Sequence, residues 1–256
     1  FRSSLELEAE RMSNLVIDDE EFAKEIKVVL EERRLRTDDN PQSLAMESAR
    51  AAAFQTSPYR YPIIGWASDI KNMKAADLRA WYERWYGPNN AIVVVVGDVD
   101  PAHVFMLAKR HFGHLKERDI PPPKFRPEVP QPGLKRIKIH SSTAKVPYLV
   151  LGFKTPTLTQ VDIGRNIEEW EIYALEVLAE VLDGDSSARL NRNLVRGREL
   201  AAQAGVGFSA AARLPTLFYC VSVPRDGTTL VELENALLSE IETLKVNPPT
   251  EKELER

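Results

Sequence analysis

Apolar residues in the first third of the chain recur at three- and four-residue intervals. In "EEFAKEIKVVLEERR", residues 20–34, Phe22, Ile26, Val29 and Leu30 fall on one helical face, with Val28 beyond its edge. Asp18 followed three residues later by Glu21 forms a capping-box start, so a helix is expected from Asp18 to about Thr37. The same period predicts helices over Ser4–Leu15, Pro41–Phe54, Lys74–Tyr86 and from Asp100 to near "HFGHL". "TDDNPQ" ends one of these and "TSPYRYP" reads as a loop. The apolar run "AIVVVV", residues 91–96, reads as a buried strand.

The second half opens differently. From Asp119 to Gly133, prolines stand at 121, 122, 123, 127, 130 and 132, which predicts an extended linker. Beyond it, strands are expected near 135–140 and 147–153, and a long helix from about Asn166 to Leu182. A shorter helix over Ser187–Arg196, strands near 204–212 and 216–223, and a helix over Thr228–Leu244 follow. Interleaved helices and strands define an α+β chain. We divide it into a first domain over 1–117, a linker over 118–133 and a second domain over 134–256.

An internal echo supports that division. "SLELEAERMSNL" followed by "DDEEFAKE" resembles "LVELENALLSEI" followed by "TEKELER", with helix-starting Asp18 and Thr250 at matching places. Such a repeat predicts two similar domains in tandem, the sequence entering partway through the first and leaving partway through the second. The opening "FRSSLELEAERM" has no initiator Met and is already helical in pattern, so the natural N-terminus is expected upstream.

Composition narrows the classes. A net charge of −4 gives no broad cationic field, so nucleic acid is not an expected partner. The longest purely apolar run is far too short to span a bilayer. The single cysteine, Cys220, excludes an intrachain disulfide and lies in the alternating "LFYCVSV", where it reads as a packed strand residue.

Four histidines are present, and no pair has the spacing of an H-x-x-E-H helix. "HFGH", residues 111–114, encloses Gly113 at a helix end and reads as cationic C-terminal capping. "GVGFSA", residues 205–210, fits G-x-G-x-x-A but sits on a strand, the wrong context for a dinucleotide loop. Glu25 and Glu32 remain. They lie seven residues apart and flank the apolar face of their helix, either as charged fringe or as paired acids for metal or proton chemistry.

Resemblance decides between these readings. "LELEAERMSNLVIDDEEFAKEIKVVLEERRLRTDDNPQ", continued by "SPYRYPIIGWASDIKNMKAADLRAWYERWYGPNNAIVVVVGDVD", resembles the pitrilysin-type zinc metallopeptidases. That family includes insulinase and the mitochondrial processing peptidase, and the chain is most similar to its bacterial short-subunit members. The resemblance implies an α+β fold of two tandem homologous α/β-sandwich domains, both truncated here. Family members carry two zinc-ligating histidines and a general-base glutamate in an inverted H-x-x-E-H helix, and a later glutamate completes the metal site. That later glutamate matches Glu32, and the acid that supports the site matches Glu25.

The resemblance also implies zinc in the intact parent and peptides or unfolded segments as substrates. Neither the histidines nor the base is in this sequence, so no intact catalytic zinc site and no peptidase activity are expected of the chain alone. A non-catalytic scaffold subunit of the same family is the competing reading. In the second half, "SSARLNRNLVRGRELAA" is similar to the family pattern "SSRLYQRLVREKGLAY", whose arginine and tyrosine support the scissile carbonyl. Arg196 stands at that arginine, as a substrate-binding residue or as a solvated helix-end cation, and Ala202 replaces the tyrosine. A homologous subunit that retains the Arg and Tyr is the expected partner, in a heterodimer or, failing that, a homodimer. The compartment stays open between periplasm and cytoplasm.

Overall fold

A computed structural model describes residues 2–124, 126–163 and 167–255. Its contacts separate two units, Phe1–Arg33 with Ile64–Phe125, and Arg34–Ile63 with Arg126–Arg256. Residues 34–63, placed by the sequence in the first domain, thus group by contact with residues from Arg126 onward, which include the second half of the expected linker. The tandem division remains a proposal about the repeat.

The first unit is helical. It contains α1 (Arg2–Asn14) and α2 (Asp19–Arg33), then α4 (Ala67–Asn72), α5 (Ala75–Trp85) and α6 (Pro101–Phe112), with α3 (Pro41–Ala53) belonging to the other unit. Leu5, Ala9 and Met12 of α1, Ile70 of α4, Tyr82 of α5 and Leu107 of α6 are buried. The Tyr82 hydroxyl donates to the Arg11 carbonyl at 2.8 Å, so its polar end is satisfied where α1 finishes. Asp18 accepts from the amides of Glu20 and Glu21, starting α2 where the capping signal places it.

The expected strand at 91–96 is not formed. Among the described residues it has no ladder partner, and Ile92 and Val96 are 91% and 92% exposed. An apolar run records a capacity for burial, whereas a strand also needs a neighbouring row of donors and acceptors. Residues 135–140 are corrected for the same reason: among the described residues they have no ladder partner, and Ile137 and Ile139 are exposed.

The second unit is built on a three-stranded antiparallel sheet of order β1-β3-β2, from β1 (Leu149–Thr155), β2 (Ala201–Gly207) and β3 (Thr216–Pro224). Helices α7 (Glu169–Asp183) and α8 (Leu230–Val246), with the short α9 (Glu251–Leu254), complete it. The expected start of α7 at Asn166 lies outside the described residues. Leu182, Leu190, Leu194, Leu233 and Leu237 are fully buried with Phe218 and Cys220. Each such leucine stabilises by about 1.5–3 kcal/mol. Cys220 is inert, its thiol pushed up to about 12 by burial and then by Asp183. The "GVG" signature has a packing cause, because a Cβ on Gly207 would overlap the Tyr219 ring opposite.

From 119 to 133, with Phe125 outside the described residues, the chain forms neither helix nor strand. Its anchor is Glu128, which accepts from the amides of Gln55, Thr56 and Ser57 at 2.9–3.1 Å and from Lys154 at 2.7 Å. Burial pushes this carboxyl up, but Lys154 and the three amides outweigh it and hold it at about 2. A carboxyl lowered on folding contributes stability above its unfolded value and loses it as pH falls toward about 2. Glu128→Gln is expected to cost about 2 kcal/mol near neutral pH. Its denaturation midpoint should converge with that of the native chain as pH falls from about 4.5 to about 2, and a constant gap down to pH 2 would contradict this anchor.

Candidate functional site

Helix α2 is held at both ends. Near its start, Arg79 donates to the Ile17 carbonyl at 2.9 Å and pairs with Asp19 at 2.7 Å. At its C-terminus Arg33 is buried and donates to the Gly65 carbonyl at 2.8 Å. These contacts fix the helix's rotational phase. Phe22, Ile26, Val29 and Leu30 face inward in part while Val28 is exposed, as the periodicity predicts.

That phase treats the two glutamates differently. Glu32 is half-buried, whereas Glu25 is exposed, so the expectation that both fringe the buried face holds for Glu32 alone. Lys24 pairs with Glu21 at 2.7 Å and Glu20 at 3.2 Å. Seven residues of helix separate the glutamates by about 10 Å along the axis.

Among the described residues, no group of three or more His, Cys, Asp and Glu side chains gathers in a way that holds a metal. The residues present do not by themselves fit a zinc centre, since zinc sites take three or four protein ligands.

Arg196 lies in the second unit. It is exposed and donates through Nη2 to the Ser186 carbonyl at 2.6 Å. Ala202 is exposed on β2. The buried arginine of this stretch is Arg189, which forms a two-pronged pair with Glu253 at 2.9 Å and donates to the carbonyls of Asn247 and Pro248. Its guanidinium, followed by the Thr250 amide, holds the Glu253 carboxyl at about 2. A cavity of about 620 Å³ beside this pair includes Ser187, Arg192, Thr243 and Lys252 in its lining, and none of Glu25, Glu32 and Arg196.

Sequence reading missed two wide helical turns. Arg34–Asp38 closes with Asp39 N to Arg34 O at 2.8 Å, and Asn191–Gly197 with Arg198 N to Asn193 O at 2.8 Å. Such π-type turns are frequent at functional sites; here one follows Glu32 closely and the other contains Arg196. Past the second, Glu199 has φ of 53°, at the position where the family pattern carries glycine. Its side chain pairs with Arg225 on the surface. Glu199→Gly is expected to stabilise by about 0.5–1 kcal/mol, since relief of left-handed strain exceeds the loss of an exposed ion pair. A denaturant midpoint that falls on this change would contradict it.

Comparison with known proteins agrees with the resemblance. The family described as "Peptidase M16 inactive domain" matches residues 72–256. Zinc protease PqqE of Helicobacter pylori is 33% identical over 99% of this chain and 55% of its own length. The uncharacterized zinc protease YmxG of Bacillus subtilis is 25% identical over 91% of this chain and 58% of its own. The crystal structure of a protease from Helicobacter pylori matches with a TM-score of 0.89 at 32% identity, covering 99% of this chain and 60% of that one. A peptidase M16 inactive domain from Pseudomonas fluorescens shares the fold at a TM-score of 0.78 and 21% identity, over 98% of this chain and 58% of that one. The chain belongs to the M16 peptidase family, the pitrilysin type, and has its mixed helix-and-sheet fold. It spans about half the length of the curated relatives it matches.

Proposed function

We propose that this chain is part of a zinc-dependent metalloendopeptidase subunit that cleaves peptides or unfolded segments. One observation carries the reading: on a helix pinned at both ends, Glu32 is half-buried at the position where the family's distal zinc ligand belongs. The caps at Asp18 and Thr250 support the tandem arrangement, since each starts the helix that follows a four-residue connection. In the parent, Glu32 would hold zinc through one carboxylate, together with histidine ligands that this sequence does not contain, and zinc so bound would supply a Lewis acid for peptide hydrolysis.

This chain's own part is to hold and orient. Arg79 and Arg33 fix α2, so the Glu32 carboxylate would be held in place for an ion, and Glu25 from the exposed side would orient a neighbouring ligand. Arg196 and position 202 belong to the wall that receives the substrate carbonyl. The zinc content of the parent with Glu32 replaced is the test; unchanged content would favour the scaffold reading.

A further inference from the structure

By contact, residues 34–63 leave the first unit after Arg33 and the chain returns to it at Ile64. The base of this excursion is tied within the first unit, since the Arg33 guanidinium donates to the Gly65 carbonyl at 2.8 Å. The excursion carries the wide turn Arg34–Asp38, helix α3 and the tight turn Pro58–Arg60. Its burial is concentrated in one place. Helix α3 has no fully buried residue, and between 34 and 63 only Phe54 and Ser57 are buried, at 2% and 3% exposed.

Those two residues bracket the amides that Glu128 holds. Successive amides converging on one carboxylate form an anion cradle, and the Glu128 side chain in it is 8% exposed. Thr56 adds its hydroxyl, which donates to the Pro127 carbonyl at 2.6 Å and to Glu128 Oε2 at 3.2 Å. Lys154 of β1 closes the other side: its ammonium lies 2.7 Å from Glu128 Oε1 and 5.7 Å from the centre of the Phe54 ring. Lys135 donates to the Ala52 carbonyl at 2.9 Å and the Leu214 amide to the Tyr59 hydroxyl at 3.3 Å, both within a few residues of the cradle. These contacts gather between residues 52 and 59. A helix as short as α3 is marginal in isolation, so its order depends on such docking.

We propose that Glu128 is the latch of a separately opening segment. With its carboxylate in the cradle, residues 34–63 stay docked; with it withdrawn, α3 and the turns beside it open together, pivoting after Arg33 and before Ile64, while α2 and the sheet stay folded. Glu32 precedes the pivot, on the helix held by the Arg33 to Gly65 tie. The device is thus independent of zinc and of the peptidase reading, so either can fail without the other.

The test is hydrogen exchange of the chain as it stands, read by mass spectrometry on the amides of α3, which lie outside the bonds that Glu128 makes. In Glu128→Ala they are expected to exchange about tenfold or more faster than in the native chain, with α2 and β3 unchanged. Lys154→Met leaves the carboxylate on its three amides and removes the cation, so it should give the same pattern at about threefold or more. It also decides the matter should Glu128→Ala fold poorly. Unchanged exchange of α3 in both variants would overturn the proposal, because Glu128 would then hold only the turn at 55–57. Equal acceleration of α3, α2 and β3 would overturn it as a general loss of stability. Acceleration of α2 together with α3 would remove the pivot at Arg33, and the proposal with it.

Discussion

Glu32→Gln in the full-length parent is expected to weaken zinc binding more than about 100-fold, while Glu31→Gln leaves zinc content near that of the native protein. The two residues are adjacent, and the difference between them is phase. Glu31 is exposed, whereas Glu32 is half-buried on a helix whose rotation is set by Arg79 at one end and Arg33 at the other. A neutral amide replaces a carboxylate ligand poorly, because charge neutralisation of the ion is lost along with the bond. Residues that act through a ligand typically cost about 10- to 100-fold in metal affinity, so Glu25→Gln should fall between the two. The check is metal content after dialysis against a graded chelator. Equal loss from both variants at 31 and 32 would remove Glu32 from the site; loss from Glu25→Gln as great as from Glu32→Gln would show that the roles are exchanged.

The assignment of α2 was readable in the sequence because its information is local. Asp18 announces the start, and the spacing of Phe22, Ile26, Val29 and Leu30 sets the buried face. The caps Asn40, Asp100, Thr229 and Thr250 are readable for the same reason, each accepting from an amide two or three residues on. What the sequence could not supply was partnership over distance. Glu128 joins residues 71–73 positions away, and Arg189 joins Glu253 across 64, with nothing near either to name its partner. Residues 91–96 fail in the opposite direction: their composition is right for a strand, but ladder formation depends on a second segment. The wide turns at 34–38 and 191–197 were hidden too, because propensity separates helix from other states but not one hydrogen-bond offset from another.

The pattern around Arg196 leads to the other large effect. The full-length subunit alone is expected to cleave peptides about 100- to 1,000-fold more slowly than when mixed with a homologous subunit that retains both the Arg and the Tyr. A metal centre can generate the nucleophile, but the oxyanion that forms on the carbonyl also requires donors from the facing wall, and loss of one such donor typically costs that range in rate. This chain offers little there. Arg196 already donates to the Ser186 carbonyl, and Ala202 has no donor beyond the backbone. Because Ala202 is exposed on β2, Ala202→Tyr introduces a phenol without disturbing the core, and it should recover part of the missing rate in the lone subunit. The measurement is kcat/KM on a fluorogenic peptide for the subunit alone, for Ala202→Tyr and for the mixture. Stimulation by the partner that is absent when the partner's own Tyr is replaced by Phe identifies the hydroxyl as the missing donor. Full activity of the lone subunit, unchanged by the partner and by Ala202→Tyr, would show that the carbonyl is stabilised entirely from within the subunit and that the heterodimer inference is wrong.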